Sequence, residues 1–323
     1  MTLDPADVGR RVVVRSRLGG RGPGGGPVTT DVVGVLLGHD GSELSVRRRD
    51  GSVVRLPVAD VLAARTVPMV PGGRRGRGLR IPPEQLQRVT DDGWPAPVTE
   101  ALGEWLLRAA GGFTGRANSV SVHGDPGVAL PEALSAVVAF YQRQALPPMA
   151  QVVLDGAWDD AFFRAGWITK PGSHTGAVVQ VASVLSALRY AGDGGEVLLS
   201  ERVSDDWLAL YNRAADLEPS TVRAVLEGPE RVVLASVGAP AVAIGRLVLH
   251  GDWCGMAAVE VEPALRRQGL ARRIVDVLLQ SAAEAGARWC YLQTMEDNAA
   301  ALGLYARYGF VTHHRYRYVV PPS

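Results

Sequence analysis

The stretch that decides the fold runs from Val259 to Leu279 and reads VEVEPALRRQGLARRIVDVLL. It passes from a β-branched run through Pro263 into an arginine-rich turn, then into an amphipathic helix. Pro263 has no N–H for a sheet ladder, so the chain must leave the strand there. Leu270, Ile274, Val277 and Leu278 then fall on one face of a helix that starts near Gly269. A helix N-terminus presents unpaired N–H groups and a partial positive charge, which suits phosphate. Gly269 has no Cβ to hold an anion away from the backbone. Arginines at this end oppose the helix dipole, and a plain surface would carry Asp or Glu instead. A bound polyanion would remove that conflict. On these residues alone two readings stand, a phosphate cradle and an exposed basic turn.

The elements around the turn alternate as in a mixed α/β chain. From Glu196 the pattern predicts a strand (EVLLSE), two helices (DDWLALYNRAADL and STVRAVLEG) and a meander ending at Pro263. The long helix follows, then a strand (WCYLQT), a helix (NAAALGLYARY) and a final strand pair (FVTHHRYRYVV). Residues 84–190 predict β-β-α-β-α-β, with LPEALSAVVAFYQRQA as a helix opened by Pro131. FFRAGW and LYARYGF hold matching places in the two segments, which suggests an internal duplication. Residues 7–67 carry short strands parted by turn signals such as Asp50-Gly51, the pattern of a small β-barrel. The glycine-rich Gly19–Pro27 is read as a long hairpin loop, because no helix follows it. Pro71–Pro83 has linker composition and a basic cluster at Arg74, Arg75, Arg77 and Arg80. That cluster is either a solvated linker or a contact for nucleic acid or an acidic partner. The expected organisation is a barrel over 1–70, a linker over 71–83, and α/β segments over 84–192 and 193–323.

A net charge of +1 over 323 residues argues against a protein whose main task is coating nucleic acid. No apolar run approaches the roughly 18 residues of a membrane span. The first ten residues also lack the core of a signal peptide, so a cytoplasmic protein is expected. Cys254 and Cys290 cannot form a zinc site alone and read as free buried thiols of a reducing compartment. The six histidines, His313 and His314 among them, show no metal-ligand spacing, so no metal is expected. Arg, Ala, Gly and Pro abound beside a single lysine, Lys170, as in chains from high-GC bacterial genomes.

Arg266-Arg267-Gln268-Gly269-Leu270-Ala271 fits the pattern [Q/R]-x-x-G-x-[G/A]. Asn298, Ala301, Tyr305, Gly309 and Phe310 fit N-x-x-A-x-x-x-Y-x-x-x-G-F. Together, in this strand–helix order, they resemble the two signatures of the GNAT acetyltransferases over about residues 196–320. More widely, the chain resembles actinobacterial GNAT proteins with an N-terminal Src-homology-3-like barrel and a degenerate first GNAT half. Some of these are labelled histone-acetyltransferase-like. FTGRANSV followed by LPEALSAVVAFYQRQALPP carries that likeness. A more distant one is to the tandem-GNAT mycothiol synthases. The resemblance implies a mixed central sheet flanked by helices, in tandem halves, behind a small all-β barrel. It also implies acetyl-coenzyme A as cosubstrate. Arg266 to Arg272 (Arg266, Arg267, Gln268, Gly269, Leu270, Ala271 and Arg272) would hold the pyrophosphate. Val259, Glu260 and Val261 would offer strand-edge groups to the pantetheine amides, and the Val261 N–H would polarise the acetyl carbonyl. Asn298 would sit beside the pantetheine arm, or be an ordinary helix cap. Tyr305 would face the thioester sulfur as a proton donor, or be a core aromatic. HGDPGVALPE (His123–Glu132) replaces the cradle in the first half, which is therefore expected to be structural or substrate-shaping.

The implied reaction is attack of an amine on a thioester. A lysine-like amine has a pKa of about 10.4 and must lose a proton first. Glu260, Glu262, Glu296 or water could receive it. The leading expectation is an acetyl-coenzyme-A-dependent N-acetyltransferase acting on a small-molecule or protein amine. The alternative is a non-catalytic acyl-coenzyme A sensor whose barrel and linker bind a partner or nucleic acid. Retention of Tyr305 favours the enzyme. The acceptor, the role of the barrel and the oligomeric state are not legible in the sequence.

Overall fold

The computed structural model describes residues 3–4, 7–8, 11–21, 27–48, 52–66, 79, 81–172, 174–214 and 217–322. They form two compact units, residues 1–73 and 74–323. Arg74, Arg75, Arg77 and Arg80 of the linker lie outside the described residues, as do residues 22–26 of the glycine-rich stretch.

The first unit contains β1 (Arg11–Arg21), β2 (Pro27–His39), β3 (Glu43–Arg47), β4 (Val53–Pro57) and β5 (Val61–Thr66). Their order is β4-β3-β2-β1-β5, with every pairing antiparallel. Alternation turns Val12, Val14, Val32, Leu36, Leu44 and Val46 into one buried cluster. The Asp40-Gly41 turn is fixed by Asp40 Oδ1, which accepts from the N–H groups of Ser42 and Glu43 at 2.9 and 2.8 Å. Within SVVRLPVADVLAART a 3₁₀ turn over Val58–Asp60 follows Pro57 and separates β4 from β5. One expectation changes here. Gly19, Gly20 and Arg21 belong to β1, and Arg21 pairs with Pro27.

The first half of the second unit contains α1 (Pro83–Asp92), β6 (Val98–Leu102), β7 (Trp105–Ala109), β8 (Val120–Ser121) and α2 (Leu130–Arg143). It continues through β9 (Ala150–Val153), α3 (Asp159–Arg164), β10 (Ile168–Thr169), β11 (Gly176–Ser183) and α4 (Val184–Ala187). The second half begins with β12 (Leu198–Ser200), α5 (Asp205–Leu210), α6 (Pro219–Leu226), β13 (Val232–Val237) and β14 (Ala243–His250). It ends with β15 (Trp253–Val261), α7 (Leu270–Glu284), β16 (Trp289–Thr294), α8 (Ala299–Arg307) and β17 (Val311–Val320). Neither α1 nor β6 was expected. The final strand pair is one strand, since no turn residue interrupts the alternation of VTHHRYRYVV. Among the described residues no helix is long and apolar enough to cross a membrane.

All these strands belong to one mixed sheet, in the order β12-β13-β14-β15-β16-β11-β17-β9-β8-β7-β6, with β10 on β17. Each half has one parallel pair, β8 with β9 and β15 with β16. The halves also exchange strands. β11 of the first half lies between β16 and β17, and β17 of the second lies between β11 and β9. Their cores are exchanged with them. Val319 is fully buried with Trp105, Phe140 and Phe162 of the first half, while Ala182, Val184 and Ala187 pack with Ile274 and Leu278 of α7. Segments 84–192 and 193–323 are therefore not separate bodies. Period-two patterning names a strand's faces but not its neighbours.

A buried polar cluster ties α1 to the first half. Arg108 Nη1 meets Asp91 Oδ1 at 2.5 Å, and its Nη2 donates to Gln151 Oε1 at 2.6 Å. His123 Nε2 lies 2.9 Å from the second Asp91 oxygen. Burial by itself would raise the Asp91 carboxyl, but Arg108 and His123 outweigh it and hold it below its ordinary value. Arg246 ties the other side, donating to the carbonyls of Leu226 at 2.8 Å and Gly93 at 3.0 Å.

Because each core is completed by the other half, residues 193–323 expressed alone should lack Ala182, Val184 and Ala187 beneath α7. No cooperative melt followed by circular dichroism is the expected outcome for that fragment, against a single transition for the full chain. A two-state melt of 193–323 would mean that the exchanged strands are dispensable.

Candidate active site

β15 and β16 pair in parallel from Trp253–Trp289 to Met256–Leu292, and no further. Beyond that point β15 stays on β14 through a bulge. Arg246 opposes Ala257 and Ile244 opposes Glu260, so β15 carries one extra residue. Ala258 takes up the difference in the left-handed region, at φ 54°. The Glu262 N–H donates to the Val242 carbonyl at 2.9 Å. Antiparallel alternation then turns the Val261 N–H away from β14. A cleft of about 720 Å³ opens beside the parted strands. Its walls come from both halves, including Thr114 to Arg116, Tyr211 to Arg213, Met256 to Glu260, Asn298, Tyr305, Tyr316 and Tyr318.

Among the expected site residues, Val259, Glu260, Asn298 and Tyr305 all line this cleft. Glu260 Oε2 accepts from the backbone N–H and the side-chain Nδ2 of Asn212, at 3.0 and 2.9 Å. Burial raises its carboxyl above the ordinary value, against the downward pull of Asn212, Arg213 and Arg266. Tyr305 is 7% exposed and packs on Phe310 at a ring separation of 5.7 Å. Burial, with the Cys290 thiol nearby, pushes its phenol well up, so it stays protonated at neutral pH. Among the described residues its hydroxyl has no hydrogen-bond partner. Asn298 caps α8, its Oδ1 accepting from the Ala301 N–H at 3.1 Å. Glu262 and Glu296 do not line the cleft, and Glu296 is engaged by Arg315 at 2.9 Å.

The turn ahead of α7 is made of backbone donors. Gly269 sits at φ 84° and Arg267 at φ 68°, and a Cβ on Gly269 would enter open space. The first helical bond runs from the Arg273 N–H to the Gly269 carbonyl at 3.1 Å. The N–H groups of Arg267 to Arg272 thus have no acceptor among the described residues. Arg266, Arg267 and Gln268 are exposed, and Arg266 Nε donates to the Val261 carbonyl at 3.3 Å. Arg272 pairs with Asp276 at 3.6 Å, while Arg273 holds the carbonyls of Gly194 and Glu196. A cradle of free donors beside Arg267, whose side chain has no partner among the described residues, fits a pyrophosphate.

The corresponding loop of the first half is satisfied from within. Glu104 accepts from the Asp125 N–H at 2.8 Å, and Asp125 from the Gly127 N–H at 2.8 Å. Trp158 Nε1 donates to the Gly124 carbonyl at 2.8 Å. Two carboxylates fill the place where an anion would bind. Among the described residues no group of His, Cys, Asp or Glu could hold a metal ion.

A family described as "Probable histone acetyltransferase Rv0428c C-terminal" matches residues 84–319, and one described as "Rv0428c N-terminal Sm-like domain" matches residues 6–65. The chain belongs to this family. It is a GNAT-type N-acetyltransferase with an Sm-like N-terminal unit, where the sequence resemblance pointed to a Src-homology-3-like barrel. The "Uncharacterized N-acetyltransferase YobR" of Bacillus subtilis (strain 168) is 24% identical over 250 residues, spanning 72% of this chain and 97% of YobR. The GCN5-related N-acetyltransferase of Kribbella flavida shares the fold at 15% identity and TM-score 0.53, over 74% of this chain and 95% of its own. A tandem GNAT protein from the clavulanic acid biosynthesis pathway does so at 14% identity and TM-score 0.50, over 76% and 91%.

The GNAT signatures do not reveal the other residues of the cleft. Asn212, which holds Glu260, follows the end of α5 in a 3₁₀ turn. Tyr316 and Tyr318 share one face of β17, which period two alone would show. Arg116 carries no sequence signal beyond its charge. In this GNAT chain, Gly269→Glu should abolish binding of coenzyme A measured by calorimetry. The fold should survive, at a cost of about 1–2 kcal/mol for a left-handed non-glycine residue. Unchanged affinity in the folded variant would remove the cradle from the site.

Proposed function

We propose that this protein transfers the acetyl group of acetyl-coenzyme A to an amine by direct attack on the thioester, in the cytoplasm. The observation that carries the reading is the juxtaposition, in one cleft, of the half-buried Glu260 carboxylate and the Tyr305 phenol, which has no hydrogen-bond partner among the described residues. Arg266 to Arg272 would bind the pyrophosphate through the free N–H groups of the turn. Val259 to Val261 and Asn298 would bind the pantetheine arm, with the Val261 N–H available to the acetyl oxygen. When bound, acetyl-coenzyme A supplies an acyl group on a thioester. Glu260 receives the proton of the attacking amine, directly or through water. Its raised carboxyl keeps it basic enough for that task while Asn212 fixes one oxygen. Tyr305 holds the proton that the coenzyme A sulfur takes as the carbon–sulfur bond opens. The Sm-like unit and the Arg74–Arg80 linker are proposed as contacts for an acidic partner.

Tyr305→Phe keeps the ring and its packing on Phe310 while deleting the hydroxyl. Steady-state turnover should fall by roughly 10²-fold, with cofactor affinity little changed and stability altered by no more than about 1 kcal/mol. Turnover within twofold of wild type would leave Tyr305 a core aromatic. Glu260 predicts a pH effect whose sign follows from its raised carboxyl. A base must be deprotonated, so log kcat/KM should steepen by about one unit per pH unit below that pKa. The break should lie above the ordinary carboxylate value of about 4.3, and Glu260→Gln should remove it. A break that persists in Glu260→Gln would assign the base elsewhere.

A further inference from the structure

The cleft that Glu260 lines is otherwise cationic and phenolic. Arg116, Lys170 and Arg213 all line it, and Glu260 is the only carboxylate among the described lining residues. Arg116 is half-buried on the 3₁₀ turn between β7 and β8. Its guanidinium lies 4.2 Å from the ring centroid of Trp94, and Trp94 is itself fixed by donating to Thr114 Oγ1 at 2.9 Å. Among the described residues neither Arg116 nor Arg213 has a carboxylate partner. A half-buried guanidinium held on an aromatic face with no anion lacks the charge that would offset its desolvation. Tyr211, Tyr316 and Tyr318 stand around it, kept as neutral phenols by burial against the pull of Arg116. They add hydroxyls to a wall that suits one planar anion.

We infer that the amine acceptor also carries a carboxylate, which Arg116 and Arg213 receive while the amine faces Glu260. The inference rests on the acetyltransfer reading and narrows its acceptor. A lysine-rich peptide would bring further cations against Arg116, Lys170 and Arg213, a repulsive juxtaposition in a confined cleft. A carboxylate on Arg116 and Arg213 would complete the missing pairs and turn the amine toward Glu260. Arg116 of the half that keeps no cradle and Arg213 of the half that has one thereby set the acceptor together.

The test uses two probes that differ only in charge, 4-(aminomethyl)benzoate and 4-(aminomethyl)benzamide, with a lysine-rich peptide as a third. Each is titrated calorimetrically into the full-length protein, with and without coenzyme A. The benzoate should bind at least about tenfold more tightly than the benzamide. That preference should fall to within about twofold in Arg116→Gln and shrink in Arg213→Gln, whose side chain is exposed and whose loss should leave the fold unaffected. Equal affinities, no binding of either small probe, preference for the peptide, or a preference unchanged in both variants would overturn the inference. Acetyl-coenzyme A is titrated separately. Failure of that titration falls on the acetyltransfer reading and leaves the benzoate–benzamide comparison intact.

Discussion

The antiparallel seam between β11 and β17, from Gly176–Arg317 to Val181–Val311, joins the two halves into one sheet. It fixes more than connectivity. Val319 crosses with β17 into the first core, and Ala182 with β11 into the second. Neither apolar cluster can exclude water without the other's strand. The same seam carries Tyr316 and Tyr318 to the face where Thr114 to Arg116 and Met256 to Glu260 converge. The cleft is a product of the exchange.

Two parallel pairs occupy matching places in that sheet and have different surroundings. Beside β8 and β9, Arg108, Asp91, His123 and Gln151 form a buried polar cluster, and Glu104 takes the loop's backbone donor. Removing one member of such a buried pair typically costs about 3–5 kcal/mol, because the other charge is left stranded. Beside β15 and β16 the strands part, and the N–H groups of Arg267 to Arg272 remain without acceptors among the described residues. The first arrangement answers Arg108 and the loop's backbone donor with the chain's own carboxylates, Asp91 and Glu104. The second leaves its donors to a ligand.

Burial acts on two acids of the cleft in the same direction and suits them to opposite proposed tasks. It raises Glu260, giving a carboxylate more basic than one in water. It raises Tyr305 as well, keeping a phenol protonated. The restraint differs: Asn212 donates twice to Glu260, whereas the Tyr305 hydroxyl has no partner among the described residues. In the proposed reaction Glu260 receives a proton and Tyr305 gives one.

The strand–turn–helix from Val259 to Leu279 is legible in sequence because its causes are local. Pro263 cannot continue a central strand, Gly269 accepts the left-handed conformation, and Leu270, Ile274, Val277 and Leu278 mark one helical face. Asn298 and Tyr305 follow from the spacing of the second signature. The exchange of β11 and β17 is not legible, because alternating side chains describe the faces of a strand and carry no information about its neighbours. Nor is the bulge at Ala258, an alanine in a conformation that its residue type disfavours. The rest of the cleft lining was decided by tertiary structure alone. Asn212 is separated from Glu260 by 48 positions, and Arg116 reaches the cleft only through the shared sheet. Short-range pattern sets backbone conformation, while the packing of distant strands sets which charges are left without partners.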